Sequence, residues 1–352
     1  MGRPLGHCRR PPRGLTVRAV TLDYQTRRLH QRDVPEPTIT IPTQVLFRVL
    51  EAGVCGTDRE LANFRFGAPP KGEQFLILGH EALGEVIATG GAVTTLKPGD
   101  LVVPTVRRAC APACVSCDRN RRDLCITGNY TERGILLAHG YFADFAVDDA
   151  TDLVAIPPAL IEFGVLIEPL SVVEKAVQTA FRFHEPGASS AIVLGAGTIG
   201  ILAALALQLR AIDVTVVSIE PESSPRAALI RQAGIRYTNS MTAAKADIVI
   251  EATGAPSAAL QALGMLAPLG TMIALGACVA EGRISFFDLV VHNQTVTGSV
   301  NASPESFTQA VQDLPRFPAA TLRAMIRRVP FRDFGNSILG PPDSHPKLVH
   351  AL

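Results

Sequence analysis

Between residues 17 and 150 the apolar positions come in short, β-branched runs with no helical period. VRAVTLDY (17–24), TQVLFRVLEAGV (43–54), LGEVIATG (83–90) and DLVVPTV (100–106) are separated by turns such as VPEP and KPGD. Runs of that length bounded by proline and glycine predict strands, so this part is expected to be mostly sheet. The pattern changes near residue 165. IEPLSVVEKAVQTAF carries apolar residues at helical spacing, with Pro169 in the first turn, where its missing N–H costs nothing. From there strands and helices alternate: SAIVLG, a helix through IGILAALALQL, DVTVVSI, a helix through PRAALIRQAG, ADIVIEATG, a helix through SAALQALGML, and GTMIALG. Apolar strands alternating with helices imply a parallel sheet covered on both faces. Beyond about residue 315 the pattern loosens, and SILGPPDSHPKLVHAL predicts no element. The expected class is α/β: a mostly-β part joined to a doubly wound parallel sheet.

A length of 352 residues favours two domains, and 47% hydrophobic with 18% charged residues is the composition of a soluble globular protein. The net charge is +1, tryptophan is absent and aromatics make up 5%, which argues against nucleic acid or an anionic membrane surface as partner. Two uncharged stretches, 187–209 and 253–280, have the length of a membrane span. The first contains GAGTIG and the second is broken by Pro256, Pro268 and several glycines, so both read as a buried strand, a turn and a buried helix. The N-terminal MGRPLGHCRRPPRG is basic and proline-rich without an apolar core, so residues 1–14 are expected to be a disordered tail and not a secretory signal. The expected location is the cytoplasm, where disulfides are rare.

Within the alternating half, Gly195-Ala196-Gly197-Thr198-Ile199-Gly200 falls between a strand and a helix. In that position a GxGxxG run supplies a tight turn, close backbone approach to a pyrophosphate, and close helix–strand packing. A dinucleotide is therefore expected on Gly195, Gly197, Thr198, Ile199 and Gly200. The following strand ends at Ser218, with Glu220 two positions later. An acidic residue there would bind a ribose hydroxyl and favour NAD, whereas a small polar residue beside arginines would suit the phosphate of NADP. Glu220 and the lack of adjacent arginines lean to NAD, and NADP stays open.

Cysteine, histidine and carboxylate side chains supply the other chemistry. GVCGTDRE places Cys55, Thr57 and Asp58 just after a strand, and LGHEALGEV places His80 and Glu81 in a glycine-bracketed turn. Thiolate, imidazole and carboxylate together suit zinc with an open position. Cys110, Cys114, Cys117 and Cys125 form a second group, for which a metal site or a disulfide pair are the alternatives. The Arg107–Arg108 and Arg121–Arg122 pairs read as solvated loop charges, and His139 and His292 as structural hydrogen-bonders.

The order Cys-Gly-Thr-Asp, Gly-His-Glu-x-x-Gly-x-Val, a cysteine cluster and GAGTIG resembles the zinc-containing medium-chain dehydrogenase/reductase family over nearly the whole chain from Val17. VVPTVRR (102–108), ERG…HGY (132–141), FGVLIEPLSVVEKA (163–176) and HNQTVTGSVN (292–301) are most similar to its glucose dehydrogenase branch. The resemblance implies a GroES-like catalytic domain from 15–168 and 316–352, with a Rossmann nucleotide-binding domain over 169–315. It implies zinc-dependent, NAD(P)-linked oxidation of a polyol or aldose, glucose or a related sugar. A simple alcohol or cyclitol as substrate, or a non-catalytic cofactor-binding relative, are the alternatives. Carried over by position, Cys55, His80, Glu81 and Glu168 would surround the catalytic zinc, and Thr57 would relay the substrate proton. Glu132 and Asn301 would contact sugar hydroxyls, Asn301 also lying at the cofactor. Relatives hold a structural zinc on four cysteines. Here Cys114, Cys117 and Cys125 keep that spacing, but three residues in place of two separate Cys110 from Cys114, leaving either a bulged loop round a normal site or a site of three cysteines. A homo-oligomer, dimer or tetramer, completes the expectation.

Overall fold

The computed structural model describes residues 16–183, 187–241, 244–276 and 286–352. The expected N-terminal tail lies outside them, as do Cys8 and Cys278.

The early runs form strands where the pattern places them: Thr16–Asp23, Gln44–Val54, Glu81–Thr89 and Leu101–Pro104. A seven-stranded sheet is built round Gln44–Val54, which pairs antiparallel with Glu81–Thr89, with Phe145–Asp149 and with the last strand, Lys347–Ala351. Two strands from beyond residue 315, Ile326–Pro330 and Lys347–Ala351, thus complete a sheet begun in the first hundred residues. The segment that predicts no element also forms the helices Ala319–Met325 and Phe334–Leu339.

The alternating half forms a six-stranded parallel sheet in the spatial order Arg236–Thr238, Asp213–Val217, Ser190–Leu194, Ala246–Glu251, Leu266–Ala274, Thr295–Gly298. Numbered along the chain this is 3-2-1-4-5-6, the doubly wound order that binds dinucleotides where the order reverses, next to Ser190–Leu194. The helix expected through residue 266 ends at Leu263, and Leu266 already opens the next strand. Gly264 ends that helix and Met265 N donates back to Ala262 O, which turns the chain into the sheet.

Within the described residues both uncharged stretches form strand and helix, 277–280 lying outside them, and no helix there is long and apolar enough to cross a membrane. The 17-residue helix Ile167–Phe183 buries one face in a core shared with Thr198–Leu209 and Pro304–Asp313. That burial fixes Glu168, its second residue, in the interior.

Candidate active site

Cys55 is the junction between the strand Gln44–Val54 and the helix Gly56–Ala62, whose N-terminus it caps. Its amide donates to Asp58 Oδ2 at 2.8 Å, so Asp58, fully buried, ties the turn. Half-buried Thr57 lies within this turn, between Cys55 and Asp58. Gly79, with φ +88°, turns the chain into His80 and Glu81; a side chain there would strike the Phe142 ring at 2.6 Å.

The turn and the junction bring donor atoms of Cys55, His80 and Glu81 to within 4.8 Å of one another. His80 Nδ1 lies 3.5 Å from Asp58 Oδ1. Burial would lower the imidazole pKa, but Asp58 and then Cys55 carry it well above its ordinary value. Glu168 is not part of the mutually close set, yet its charge meets theirs: burial, then Glu81, pushes it up to about 7. Lys347 is the residue sequence reasoning missed. Its buried ammonium forms an ion pair with Glu81 and donates to Val54 O at 3.1 Å. Burial works against that charge, and Glu81, then Cys55, raise its pKa all the same.

A half-buried thiol, a buried imidazole and the buried carboxylates of Asp58, Glu81 and Glu168 are thus gathered with the Lys347 ammonium. A divalent cation is what such a donor set lacks, and the residues fit zinc.

The four-cysteine lobe is equally compact. The Sγ atoms of Cys110, Cys114, Cys117 and Cys125 all lie within 4.8 Å of one another, so the extra residue between Cys110 and Cys114 leaves both in the group. All four are free thiols, with 3.6 Å between Cys110 and Cys117 and 3.9 Å between Cys114 and Cys125. N–H groups of Cys117 and Ile126 lower the Cys114 thiol to about 6, while burial pushes Cys117 up to about 12. Four closed thiol positions suit a structural ion that activates nothing.

Glu132 and Asn301 are brought into contact: Asn301 Nδ2 donates to Glu132 Oε1 at 2.6 Å, and Arg107 Nε donates to the same oxygen at 3.0 Å. Glu132 is buried, not a residue of an exposed lobe. Arg107 and Arg108 are not solvated charges either. Arg107 is 7% exposed, and Arg108 bonds Asp148 at 2.8 Å and Asp152 at 2.9 Å. Arg121 pairs with buried Asp123 at 2.9 Å, and Arg122 pairs with Asp152. The two histidines are structural, as expected: His139 bonds Ile77 N and Glu73, and His292 bonds Asp288 O.

At the glycine turn, Gly195 has φ +109°, and a Cβ at Gly200 would collide with Gly195 O. A Cβ at Gly197 would meet nothing within 4 Å, so that side of the turn is open to a ligand. Thr198 Oγ1 donates to Pro346 O at 2.7 Å, and half-buried Ile199 follows it into the helix. Ser218 ends its strand by donating N–H to Thr238 O at 3.2 Å. Glu220 accepts from Arg226 at 3.0 Å.

Sequence profiles of known families match both halves. The alcohol dehydrogenase GroES-like domain covers residues 41–158, and the glucose dehydrogenase C-terminus covers 161–337. The chain is 42% identical to glucose 1-dehydrogenase of Thermoproteus tenax over 85% of this chain and 88% of that one. It is 35% identical to glucose 1-dehydrogenase of Metallosphaera sedula over 91% and 90%. Glucose dehydrogenase of Haloferax mediterranei, solved with NADP, zinc and gluconolactone, superposes with a TM-score of 0.88 at 31% identity, over 95% of this chain and 99% of that one. A GroES-like sheet completed from the chain's far end, a 3-2-1-4-5-6 parallel sheet and these matches together show that the chain belongs to the zinc-containing medium-chain dehydrogenase/reductase family, in its glucose dehydrogenase branch.

Proposed function

We propose that the protein oxidises glucose or a closely related aldose, passing hydride to NAD or NADP at a zinc centre held by Cys55 and His80 with a carboxylate from Glu81 or Glu168. The observation that carries this reading is the adjacency of the two sites. Consecutive residues Pro346 and Lys347 touch Thr198 of the glycine turn and Glu81 of the donor cluster.

Bound zinc would supply Lewis acidity at the hydroxyl being oxidised, and the nicotinamide would accept the hydride. The chain's own groups do the rest. Thr57, two residues after Cys55, carries a hydroxyl that can both donate and accept a hydrogen bond and would pass the substrate proton outward. The Arg107–Glu132–Asn301 chain presents fixed polar atoms, which a polyol needs because each buried hydroxyl requires a partner. The cysteine lobe would hold a second zinc that steadies the same region, since Arg107 also donates to Asp123 O at 3.1 Å. The protein is expected to act in the cytoplasm, and as a homo-oligomer, the latter supported by the exposed apolar residues at the Thr295–Gly298 sheet edge.

The test is metal analysis of purified protein beside a panel of sugars and simple alcohols with both cofactors. Expected are two zincs per chain and sugar-dependent cofactor reduction, with Cys55→Ser losing one zinc and at least a thousandfold in rate. Zinc and cofactor bound without turnover of any polyol, alcohol or aldehyde would sink the enzyme reading.

A further inference from the structure

Glu132 and Asn301 reach each other from different halves of the chain. Glu132 is the middle residue of Thr131–Arg133, a short strand soon after the cysteine lobe, and Asn301 follows the last parallel strand, Thr295–Gly298. Lys175, buried on the helix Ile167–Phe183, is tied to both sides. Its ammonium donates to Val300 O, the carbonyl directly before Asn301, at 2.8 Å and lies 2.8 Å from Asp123 Oδ2. Asp123 is the middle residue of the turn Arg122–Leu124, which runs into Cys125. Its backbone oxygen accepts from Arg107 at 3.1 Å, and Arg107 Nε in turn donates to Glu132 Oε1. The Arg107 guanidinium also rests on the Tyr130 ring, 3.8 Å from its centroid, so its place is set from two directions. Asn301 has φ +60°, a left-handed backbone that persists only where the surroundings hold it, and the bond at Val300 O is part of that hold. Burial works against the charge on Lys175, and the ammonium would be costly without these partners.

We propose that Lys175 is a positioning residue for the sugar, bracing Glu132 through Asp123 and Arg107 and Asn301 through Val300, so that the two side chains meet a polyol at a fixed separation. The inference rests on the reading of Glu132 and Asn301 as sugar contacts given above. Both contacts on Glu132 fall on one oxygen of its carboxylate, which leaves the second for a sugar hydroxyl. Misplacing a substrate contact by about 1 Å can cost on the order of a hundredfold, and loss of the lysine keeps both side chains present, so an effect nearer tenfold is expected.

The experiment is steady-state kinetics with glucose beside zinc analysis of each variant. Lys175→Met should raise KM for glucose about tenfold while kcat and zinc content stay native, the mark of lost substrate binding alone. Added to Glu132→Gln/Asn301→Ala, which removes both contacts, Lys175→Met should raise KM no further, because it has nothing left to position. A merely structural loss would raise KM equally in both backgrounds. A native KM in Lys175→Met, a loss confined to kcat, or an equal rise in both backgrounds overturns the proposal. Should Lys175→Met not fold, Asp123→Asn decides: it keeps the shape of the partner and removes the charge that holds the ammonium. A raised KM with native kcat and zinc supports the proposal there, and a native KM overturns it. Should Glu132→Gln/Asn301→Ala itself leave KM for glucose native, the reading of these two residues as sugar contacts falls first, and the role of Lys175 with it.

Discussion

Glu220 and Arg226 meet just beyond the strand Asp213–Val217, where a bound cofactor's ribose would be read. Their ion pair, 3.0 Å long and partly open to solvent, occupies both groups that could choose between NAD and NADP. Arg226 is further engaged by the carbonyls of Asp343 and Ser344, so it is held in place whatever Glu220 does. A carboxylate on this arginine repels a ribose phosphate and lowers the field that would attract one. Glu220→Gln should therefore shift selectivity towards NADP by about 1 kcal/mol, roughly fivefold in the ratio of kcat/KM values. Steady-state kinetics with both cofactors check this, and an unchanged ratio would place the ribose elsewhere. Residues of this kind were legible because their neighbours in sequence are their neighbours in space. Cys55 and Asp58 share one turn, and His80 and Glu81 are consecutive. Lys347 was not legible: SHPKLVH predicts no element, and its partner Glu81 comes from a strand far back in the chain.

Among the elements, the helix Ile167–Phe183 shows how a buried face stores a pH response. Glu174 is fully buried on it and accepts from Arg210 at 2.6 Å, while Arg210 also holds Asp313 at 3.1 Å. Burial pushes Glu174 up to about 7, Arg210 pulling it down and the Asp313 charge adding to the rise. The native state thus binds a proton that the unfolded chain, with its ordinary value near 4.5, releases earlier. Stability from this group is complete below pH 4.5 and is lost as pH rises towards 7. Glu174→Gln keeps an oxygen for Arg210 and removes the titration. Denaturant melts at pH 5 and pH 7 should show the native chain losing on the order of 2 kcal/mol more than the variant between them. Equal losses would show that Glu174 ionises normally. The helix itself was plain in the sequence because its apolar period is long. The helices after residue 315 are six and seven residues long, too short for any period to show.

For the molecule as a whole, the crossing of Lys347–Ala351 into the first sheet could not be read from local pattern, since only tertiary pairing with Gln44–Val54 makes it a strand. The edge of the parallel sheet poses the remaining question of assembly. Among the described residues the parallel sheet stops at Thr295–Gly298, which is paired on one side only, to Leu266–Ala274. Beside this edge stand Phe286, Phe287, Val290, Val291, Val296 and Val300, all exposed. An unpaired strand flanked by large apolar side chains invites another chain, and a monomer would blunt such an edge with charge or cover it. A second copy would meet the same surface through a twofold axis, strand against strand, with each apolar helix covering the other. Sedimentation velocity should therefore find a dimer or a tetramer built from dimers. Val296→Lys, which puts a charge in the middle of the edge strand, should shift the protein towards the monomer while its zinc content stays native. Phe287→Asp should do the same from the helix. A monomeric native protein, or an assembly untouched by both substitutions, would show that this edge is not the contact.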